Sequence, residues 1–412
     1  MHALWLKLGQ ILGRTPTSGD LALWADILDK NVKTIDDTGT VDVLNESGLR
    51  SRNIIDNNMF ALARRQVAAT LTSYTASSAR VLTADRWGLT NQTASTQFAN
   101  VDTAAAPVTG LSARYYGQYK QITGAGKIMV SQAQEATAIA HTRGTVVRVQ
   151  AKMWGTGTNL AYRLGLIQLN SSGTVDTIPG AQGAGTFVSA WGAAGVDPTL
   201  GANLAYVPPL SRGIPTTPLG GGAYNAVNTN AIDCVVTSTP TIFGALFVVP
   251  SNCLNLIPAI WSNGQLAVND TINISEVGLY DGEEIRSFFY LDPALEMERL
   301  QRFYFKTFPI ATAPAQNAGM NGAYNFQAGK AAATSQWVAF DFPVSMYKVP
   351  TLTLFNPSAA NGQVRDVTGS VDCSATSTAN ASEAYCTITC TGNASTAVGD
   401  QLAVHLTGDA EI

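Results

Sequence analysis

Strand-like alternation of side chains is the feature that most constrains the fold of this 412-residue chain. Within residues 145–154, Val147 and Val149 point to one face of an extended strand while Arg148 and Gln150 point to the other. Comparable runs recur between turn-forming residues, and no repeating helix of adequate length separates them. We therefore predict a mainly β protein, a jelly-roll β-sandwich, and disfavour a parallel α/β fold. The predicted strands are 83–90, 111–122, 127–135, 144–154, 161–170, 231–238, 242–249, 256–261, 272–280, 301–308, 335–342, 350–356 and 399–407.

Composition and charge exclude several functional classes. Hydrophobic residues make up 46% of the chain and charged residues only 13%, with a net charge of −4. A nucleic-acid-binding face would need clustered basic residues, so we expect no nucleic-acid partner. No run of 18 apolar residues occurs, so no membrane span is expected. The N-terminal stretch MHALWLKLGQIL lacks the features of a secretory signal and predicts a short amphipathic helix.

Residues 1–52 predict a separate small unit in front of the sandwich. After the helix, three short alternating runs with turn residues between them predict a β-meander. A meander of this size has too little core to stand alone, so we expect it to pack against a neighbour, with symmetry mates favoured over the rest of its own chain. Residues 53–412 form the predicted sandwich with one short helix, which Asp292 would cap and Pro293 would begin.

Residues 171–230 are rich in Gly, Pro and Asn and too long for a plain loop in a compact domain. They therefore predict an insertion that contacts a partner or carries function. Its aromatic residues are the candidate ligand or partner contacts: Phe187, Trp191, Tyr206 and Tyr224. Contact with another subunit is the first interpretation, stacking on a glycan the second, and simple anchoring of the loop the third.

Cysteine and histidine patterns indicate neither a metal nor a cofactor site. The five cysteines form no CxxC pair, and the three histidines lack metal-ligand spacing. Cys386 and Cys390 would lie about 13 Å apart along a strand, too far for a disulfide. We expect reduced thiols, with Cys373 paired to Cys386 or Cys390 as the alternative.

Six acidic residues gather near the predicted helix. A glycosidase needs two carboxylates facing one cleft. Here arginines accompany acids around a turn and a helix, which indicates solvated, ion-paired surface; a hydrolytic pair at Glu283 and Glu284 is the lesser alternative. The six are Asp281, Glu283, Glu284, Asp292, Glu296 and Glu298.

Several stretches resemble one family. RNIIDNNMFALARRQ (52–66), TADRWGL (83–89), LEMERLQRFYFK (295–306), FPVSMYKVPTLTLFNP (342–357) and VHLTGDAEI (404–412) are similar to tailed-bacteriophage virion proteins with a jelly-roll, carbohydrate-binding-module-like domain. These proteins occur in tail fibres and in head fibres or decoration proteins. The segment around TPTSGDLALWAD resembles attachment segments of phage fibre proteins. The chain departs from the family pattern at Phe303, at Gly408 and Ile412, and in its long insertion.

The resemblance implies a non-enzymatic virion protein, assembled in the host bacterial cytoplasm, anchored by residues 1–52 and trimeric. Its partners would be other capsid or tail proteins, with capsid decoration favoured over a tail fibre because no long shaft is present. The alternatives are recognition of a host surface polysaccharide and, less favoured, a fibre-borne depolymerase. The motif residues would have a structural role, with Trp87 needing a partner for its N–H and an Arg–Asp pair able to form two hydrogen bonds. They are Asp85, Arg86, Trp87, Gln301, Arg302 and Tyr304.

Overall fold

The computed structural model describes residues 22–26, 31–35, 41–44, 53–66, 71–92, 95–158, 160–181, 185–211, 223–227, 230–283, 288 and 292–412. In the N-terminal unit, strands β1 (Ala22–Asp26), β2 (Asn31–Ile35) and β3 (Val41–Leu44) pair in that order as an antiparallel sheet, which confirms the meander. The helix expected in residues 1–12 lies outside the described residues. What the meander packs against stays a prediction.

The first β-sandwich consists of two antiparallel sheets. One sheet contains β4 (Thr72–Tyr74), β7 (Thr96–Asp102), β8 (Tyr115–Gln121), β10 (Val146–Thr156), β17 (Thr241–Val248) and β19 (Thr271–Asp281). The other contains β5 (Ser77–Ala84), β6 (Trp87–Asn91), β9 (Ile128–Gln132), β11 (Ala161–Leu169), β14 (Leu204–Val207), β15 (Ala223–Val227), β16 (Ala231–Val235) and β18 (Asn255–Ser262).

Alternation along the strands builds the core of this first sandwich. In β10, Val147, Val149, Ala151 and Met153 are fully buried in the core between the sheets. β10 pairs with β17 and β19, so it lies inside its sheet, and even the opposite-face residues Arg148 and Gln150 are buried. The predicted mainly β, jelly-roll-type sandwich with one short helix is what the described residues form.

Residues 171–181 and 185–200 of the insertion pack on the outer face of the eight-stranded sheet, whereas β14 and β15 of the insertion are strands of that sheet. Two short strands, β12 (Val188–Ala190) and β13 (Thr199–Leu200), pair with each other there. Phe187 and Ile178 form a second apolar layer with Ile167 and Trp261 of the sheet. Because apolar groups cover both faces of this sheet, its central strands read as nearly continuous hydrophobic runs.

Helix α1 (Pro293–Gln301) leads from the first sandwich to a second one. Asp292 caps the helix by accepting a hydrogen bond from the Ala294 N–H at 2.8 Å, and Pro293 is its first residue. One sheet of the second sandwich contains β20 (Tyr304–Lys306), β21 (Tyr324–Gln327), β23 (Thr351–Phe355), β24 (Arg365–Asp366), β25 (Val371–Asp372) and β28 (Gln401–Asp409). The other contains β22 (Ser335–Asp341), β26 (Ser374–Ala379) and β27 (Tyr385–Thr391).

The second sandwich has its own core. Phe305, Phe340, Ile388 and Leu406 pack together there, separately from the residues buried between the sheets of the first sandwich. Residues 53–412 therefore contain two sandwich cores, a finer division than the single unit expected from the sequence. Among the described helices, none is long and apolar enough to cross a bilayer.

Candidate functional site

Charged residues from distant parts of the chain meet where the two sandwiches join. Five are arginines and five are carboxylates, so their formal charges cancel. They come from the segment before β4, the turn between β5 and β6, the end of β9, helix α1 and the end of β28. We call this group the junction cluster: Arg64, Arg65, Arg86, Arg299, Arg302, Asp56, Asp85, Glu135, Asp409 and Glu411.

Arg86 occupies the centre of the junction cluster and is 1% exposed. Its guanidinium pairs with Glu411 at 2.8 Å and Asp56 at 3.5 Å, and donates to the carbonyl of Ala133 at 2.7 Å. Its other side covers the Phe303 ring, 3.5 Å from the centroid. The backbone of Arg86 has φ +72°, a left-handed conformation that is uncommon outside glycine. A turn of this shape directs the side chain inward, toward the second sandwich.

Asp85 and Trp87, on either side of Arg86, fasten the segment before β4. Asp85 pairs with Arg64 and not with the adjacent Arg86. The ion pair therefore joins two segments that are distant in the sequence. Trp87 is the first residue of β6, and its buried indole N–H donates to the carbonyl of Asn57 at 2.9 Å. A satisfied N–H is what a buried tryptophan requires.

A second set of contacts ties the end of β28 to the first sandwich. Arg65 pairs with Asp409 and lies 3.7 Å from a carboxylate oxygen of Glu411. The Arg65 guanidinium also stacks on the Tyr304 ring at 3.8 Å. Lys306, on β20, donates to the carbonyl of Arg64 at 2.7 Å. These contacts cross from one sandwich to the other.

Two opposing effects set the pKa values of Glu411 and Arg86: burial favours the neutral form of each group, and ion pairing favours the charged form. Burial is the largest influence on the Glu411 carboxyl and raises its pKa, but Arg86, Arg65 and Arg80 together outweigh it, so the pKa lies below its usual value. Burial likewise lowers the pKa of Arg86, and Glu411 and Asp56 raise it further than burial lowers it. The Glu411 carboxylate and the Arg86 guanidinium are therefore held ionised by their partners. Such groups have no proton to exchange near neutral pH.

Helix α1 covers a cavity of about 350 Å³ beside the junction cluster. Arg302, which follows the last residue of the helix, Gln301, lies 3.4 Å from a carboxylate oxygen of Glu135 across this cavity. Burial raises the pKa of Glu135 despite the nearby Arg302 and Arg86. Gln301 itself is half-buried. The charges that line the cavity are already paired within the protein.

The acids near the helix that the structure describes lie in separate environments. Asp281 meets His141 at 2.8 Å, Asp292 caps α1, and Glu296 is buried and accepts a hydrogen bond from the Asn57 N–H. Glu283 is exposed, and its carbonyl accepts a hydrogen bond from Arg148 at 2.8 Å. Glu284 lies outside the described residues. The described acids therefore do not converge on one cleft as a hydrolytic pair would.

The aromatic residues of the insertion have different environments. Phe187 is fully buried in the layer outside the eight-stranded sheet, so it anchors the segment and cannot touch a surface ligand. Trp191 is half-buried against the same layer. Tyr206 is half-buried, packs on Trp261 at 5.4 Å and donates to the carbonyl of Pro198 at 2.7 Å. Tyr224 lies on β15, and its side chain is outside the described residues.

A shallow cavity of about 340 Å³ borders Tyr206. Its polar groups bond to one another: Arg163 donates to Asp233 at 2.7 Å and also pairs with Asp197, which in turn accepts from the Trp261 indole N–H at 3.1 Å. This network fixes residues 195–198 on the sheet. It was not predicted, because no local pattern shows that Arg163 and Asp197 meet.

The five cysteines are all buried and form no disulfide. The Cys390 thiol hydrogen-bonds Cys373, an interaction that lowers the pKa of Cys373 and raises that of Cys390. Among the described residues, no group of three or more His, Cys, Asp or Glu side chains could hold a metal ion.

Comparison with known proteins gives only distant structural likenesses. No family profile and no curated protein matches the sequence. A tailspike domain of bacteriophage CBA120 is 8% identical with a TM-score of 0.28, over 48% of this chain and 19% of that one. A Clostridium thermocellum xylanase with CBM22-1 and GH10 modules is 10% identical with a TM-score of 0.27, over 52% of this chain and 29% of that one. A putative sugar-binding protein of Bacteroides thetaiotaomicron is 11% identical with a TM-score of 0.29, over 56% and 100%.

The chain thus spans less than a third of the length of the first two of these proteins. The structural neighbours include carbohydrate-binding modules, a phage tailspike and xylanases. TM-scores this low say nothing about what the present chain binds.

Proposed function

We propose that the protein is a non-enzymatic structural component of a bacteriophage particle, a capsid decoration protein or head fibre. Residues 1–52 would attach it to the particle, and the two sandwiches would be displayed. The observation that carries this proposal is that the virion-like sequence motifs supply the junction cluster. Arg64, Asp85, Arg86 and Glu411 come from three such motifs, yet they meet in one buried group.

The chemistry of the junction cluster supports a structural role. A catalytic centre needs a group whose pKa is tuned to exchange a proton, reachable by substrate. Arg86 and Glu411 are instead 1% and 3% exposed and held ionised by one another. Breaking a buried pair of this kind leaves an unpaired charge, so the motifs are best explained by the joining of two sandwiches.

Purified particles of the virus that encodes the chain test this proposal. We expect mass spectrometry to find the chain in particles, and electron cryomicroscopy to place it on the capsid lattice as a trimer. A chain lacking residues 1–52 should fold and be absent from particles. Density at the tail tip would favour the tail-fibre alternative, and absence of the full chain from particles would overturn the virion role.

Recognition of a host surface glycan is the second candidate function. One observation favours it: a hydroxyl-rich sheet face of the second sandwich that carries two exposed aromatic side chains and a single charged residue, Asp341. This role is compatible with attachment to a particle, because the face lies on a different part of the chain from residues 1–52.

A further inference from the structure

The outer face of the three-stranded sheet in the second sandwich bears an exposed tryptophan. Along β22, Gln336 and Phe340 are buried while Trp337 points outward. Trp337 is 69% exposed, the highest value among the large apolar side chains that the structure describes. Along β27, Cys386, Ile388 and Cys390 face the core, which leaves Tyr385 outside at 42% exposure. Trp337 is therefore the largest apolar side chain that this surface offers to a ligand.

Strand register shows what surrounds Trp337. Trp337 lies opposite Thr389, and Thr389 lies opposite Ser377, whose hydroxyl is 2.8 Å from that of Thr389. The neighbouring rows are built in the same way from small residues. We call this surface the Trp337 face: Ser335, Trp337, Ala339, Asp341, Ser374, Ser377, Ala379, Tyr385, Thr387, Thr389 and Thr391. Asp341 is its one charged residue.

The Trp337 face is too small to form a stable interface with a second copy of the chain. Its longest strands have seven residues, so the face extends about 23 Å along the strands and about 14 Å across three of them, roughly 300 Å². A stable protein interface needs about 800 Å² from each partner. Nucleic acid is disfavoured as well, because single strands require cations beside the aromatic platform and this face has none.

We propose that the Trp337 face binds a neutral polysaccharide. The indole would stack on the apolar C–H face of a pyranose ring, and the hydroxyls of Thr389 and Ser377 would bond the hydroxyls of the sugar, since each retains donor or acceptor capacity. Tyr385 offers a second ring about 13 Å further along the strand direction, which suits an extended chain. The proposal rests on the glycan-recognition candidate and is independent of attachment to a particle.

Binding assays with defined polysaccharides test the proposal. The intact chain would be run through native gels containing xylan, mannan or galactan and mixed with insoluble cellulose and chitin. We expect retention on at least one of these, at least tenfold weaker binding by Trp337→Ala, and about fivefold weaker binding by Thr389→Val, which loses one hydrogen-bonding group. Ile310→Ala is the matched control, because Ile310 is 57% exposed on a loop after β20 and should bind like the wild type.

Three outcomes would overturn the site. Retention of the wild type with equal retention of Trp337→Ala would place the glycan elsewhere and leave the glycan-recognition candidate standing. No retention on any of the five polysaccharides would remove both. A loss of oligomeric mass in Trp337→Ala, measured by light scattering, would show that a second copy covers this face. Thermal unfolding of each variant controls for folding, which an exposed side chain should scarcely affect.

Discussion

At the residue scale, Glu411 is the carboxylate at the junction whose charge interacts with three arginines, Arg65, Arg80 and Arg86. Replacing Glu411 with Gln keeps the shape but leaves the buried guanidinium groups of Arg65, Arg80 and Arg86 with one counter-charge fewer. We expect a loss of about 3–5 kcal/mol in the free energy of unfolding, measured by urea titration. Glu383→Gln, at an exposed carboxylate, is the control and should change the stability by less than about 0.5 kcal/mol. Equal, small effects of both variants would contradict the structural role of the cluster.

His405 makes stability depend on pH. Its ring is buried, stacks on Phe308 at 3.9 Å and meets Thr307 and the Gly319 carbonyl at 2.9 Å each. Burial, only partly offset by that carbonyl, lowers its pKa. Between the usual value of about 6.5 and the lower folded value, the unfolded chain binds a proton that the folded chain does not. Stability should therefore fall as the pH falls through this window.

The slope of unfolding free energy against pH measures this effect. His405→Gln should be less stable at pH 7 than the wild type and should have a flatter dependence in the range just below about pH 6.5. A wild-type stability that is constant across that range, or a variant with an unchanged slope, would show that His405 does not titrate as the buried ring requires.

At the element scale, alternation predicted many of the strands but missed β7 and β26, and it failed where the chain turns without a turn signal. The prediction 144–154 corresponds to β10, since four apolar residues that alternate with three polar ones have one consistent interpretation. The prediction 83–90 was wrong as a continuous strand, because Asp85 and Arg86 form a tight turn between β5 and β6. Arg86 adopts the left-handed conformation there without Gly or Asn, and its distant ion pairs explain why.

The candidate site was predictable only in part. The motifs indicated that Trp87, Arg86 and Arg302 were structural, but local sequence does not reveal long-range partners. Asp85 pairs with Arg64, and Arg86 pairs with Glu411, 325 residues away. In β22, Trp337 alternates with buried residues and shares a face with polar Ser335 and Asp341, a pattern that indicates an exposed tryptophan from the sequence alone.

Gly165 of the eight-stranded sheet, which the insertion covers, occupies a position with no room for a side chain. A Cβ atom on Gly165 of β11 would lie 2.5 Å from the Trp261 ring. Gly165→Ala should push Trp261 away from Asp197 and lower the free energy of unfolding by about 1–3 kcal/mol. Tryptophan fluorescence during urea unfolding measures both effects. Gly329→Ala, whose Cβ would meet no atom closer than 3.9 Å, is the control; equal stability of the two variants would contradict this packing.

At the scale of the whole molecule, two sandwiches with separate cores are joined by a small number of buried contacts. Phe303 lies at the centre of the join, stacked between the Arg86 guanidinium at 3.5 Å and the Tyr347 ring at 5.3 Å. The Phe303 carbonyl also accepts a hydrogen bond from the Ala410 N–H at 2.8 Å. A rigid join of this kind would let a displayed protein transmit the position of its attached end to its exposed faces.

Phe303→Ala tests whether the join makes the two sandwiches unfold together. Phe303 packs between the cores, so its truncation should weaken their coupling while both cores stay intact. We expect one calorimetric transition for the wild type and two for Phe303→Ala, the separated transitions reporting the two sandwiches. Phe305→Ala is the matched control, because Phe305 lies in the second core and its loss should destabilise that core by about 3–5 kcal/mol. A single transition for Phe303→Ala, merely shifted to lower temperature, would mean that the two cores are coupled through contacts other than the Phe303 stack.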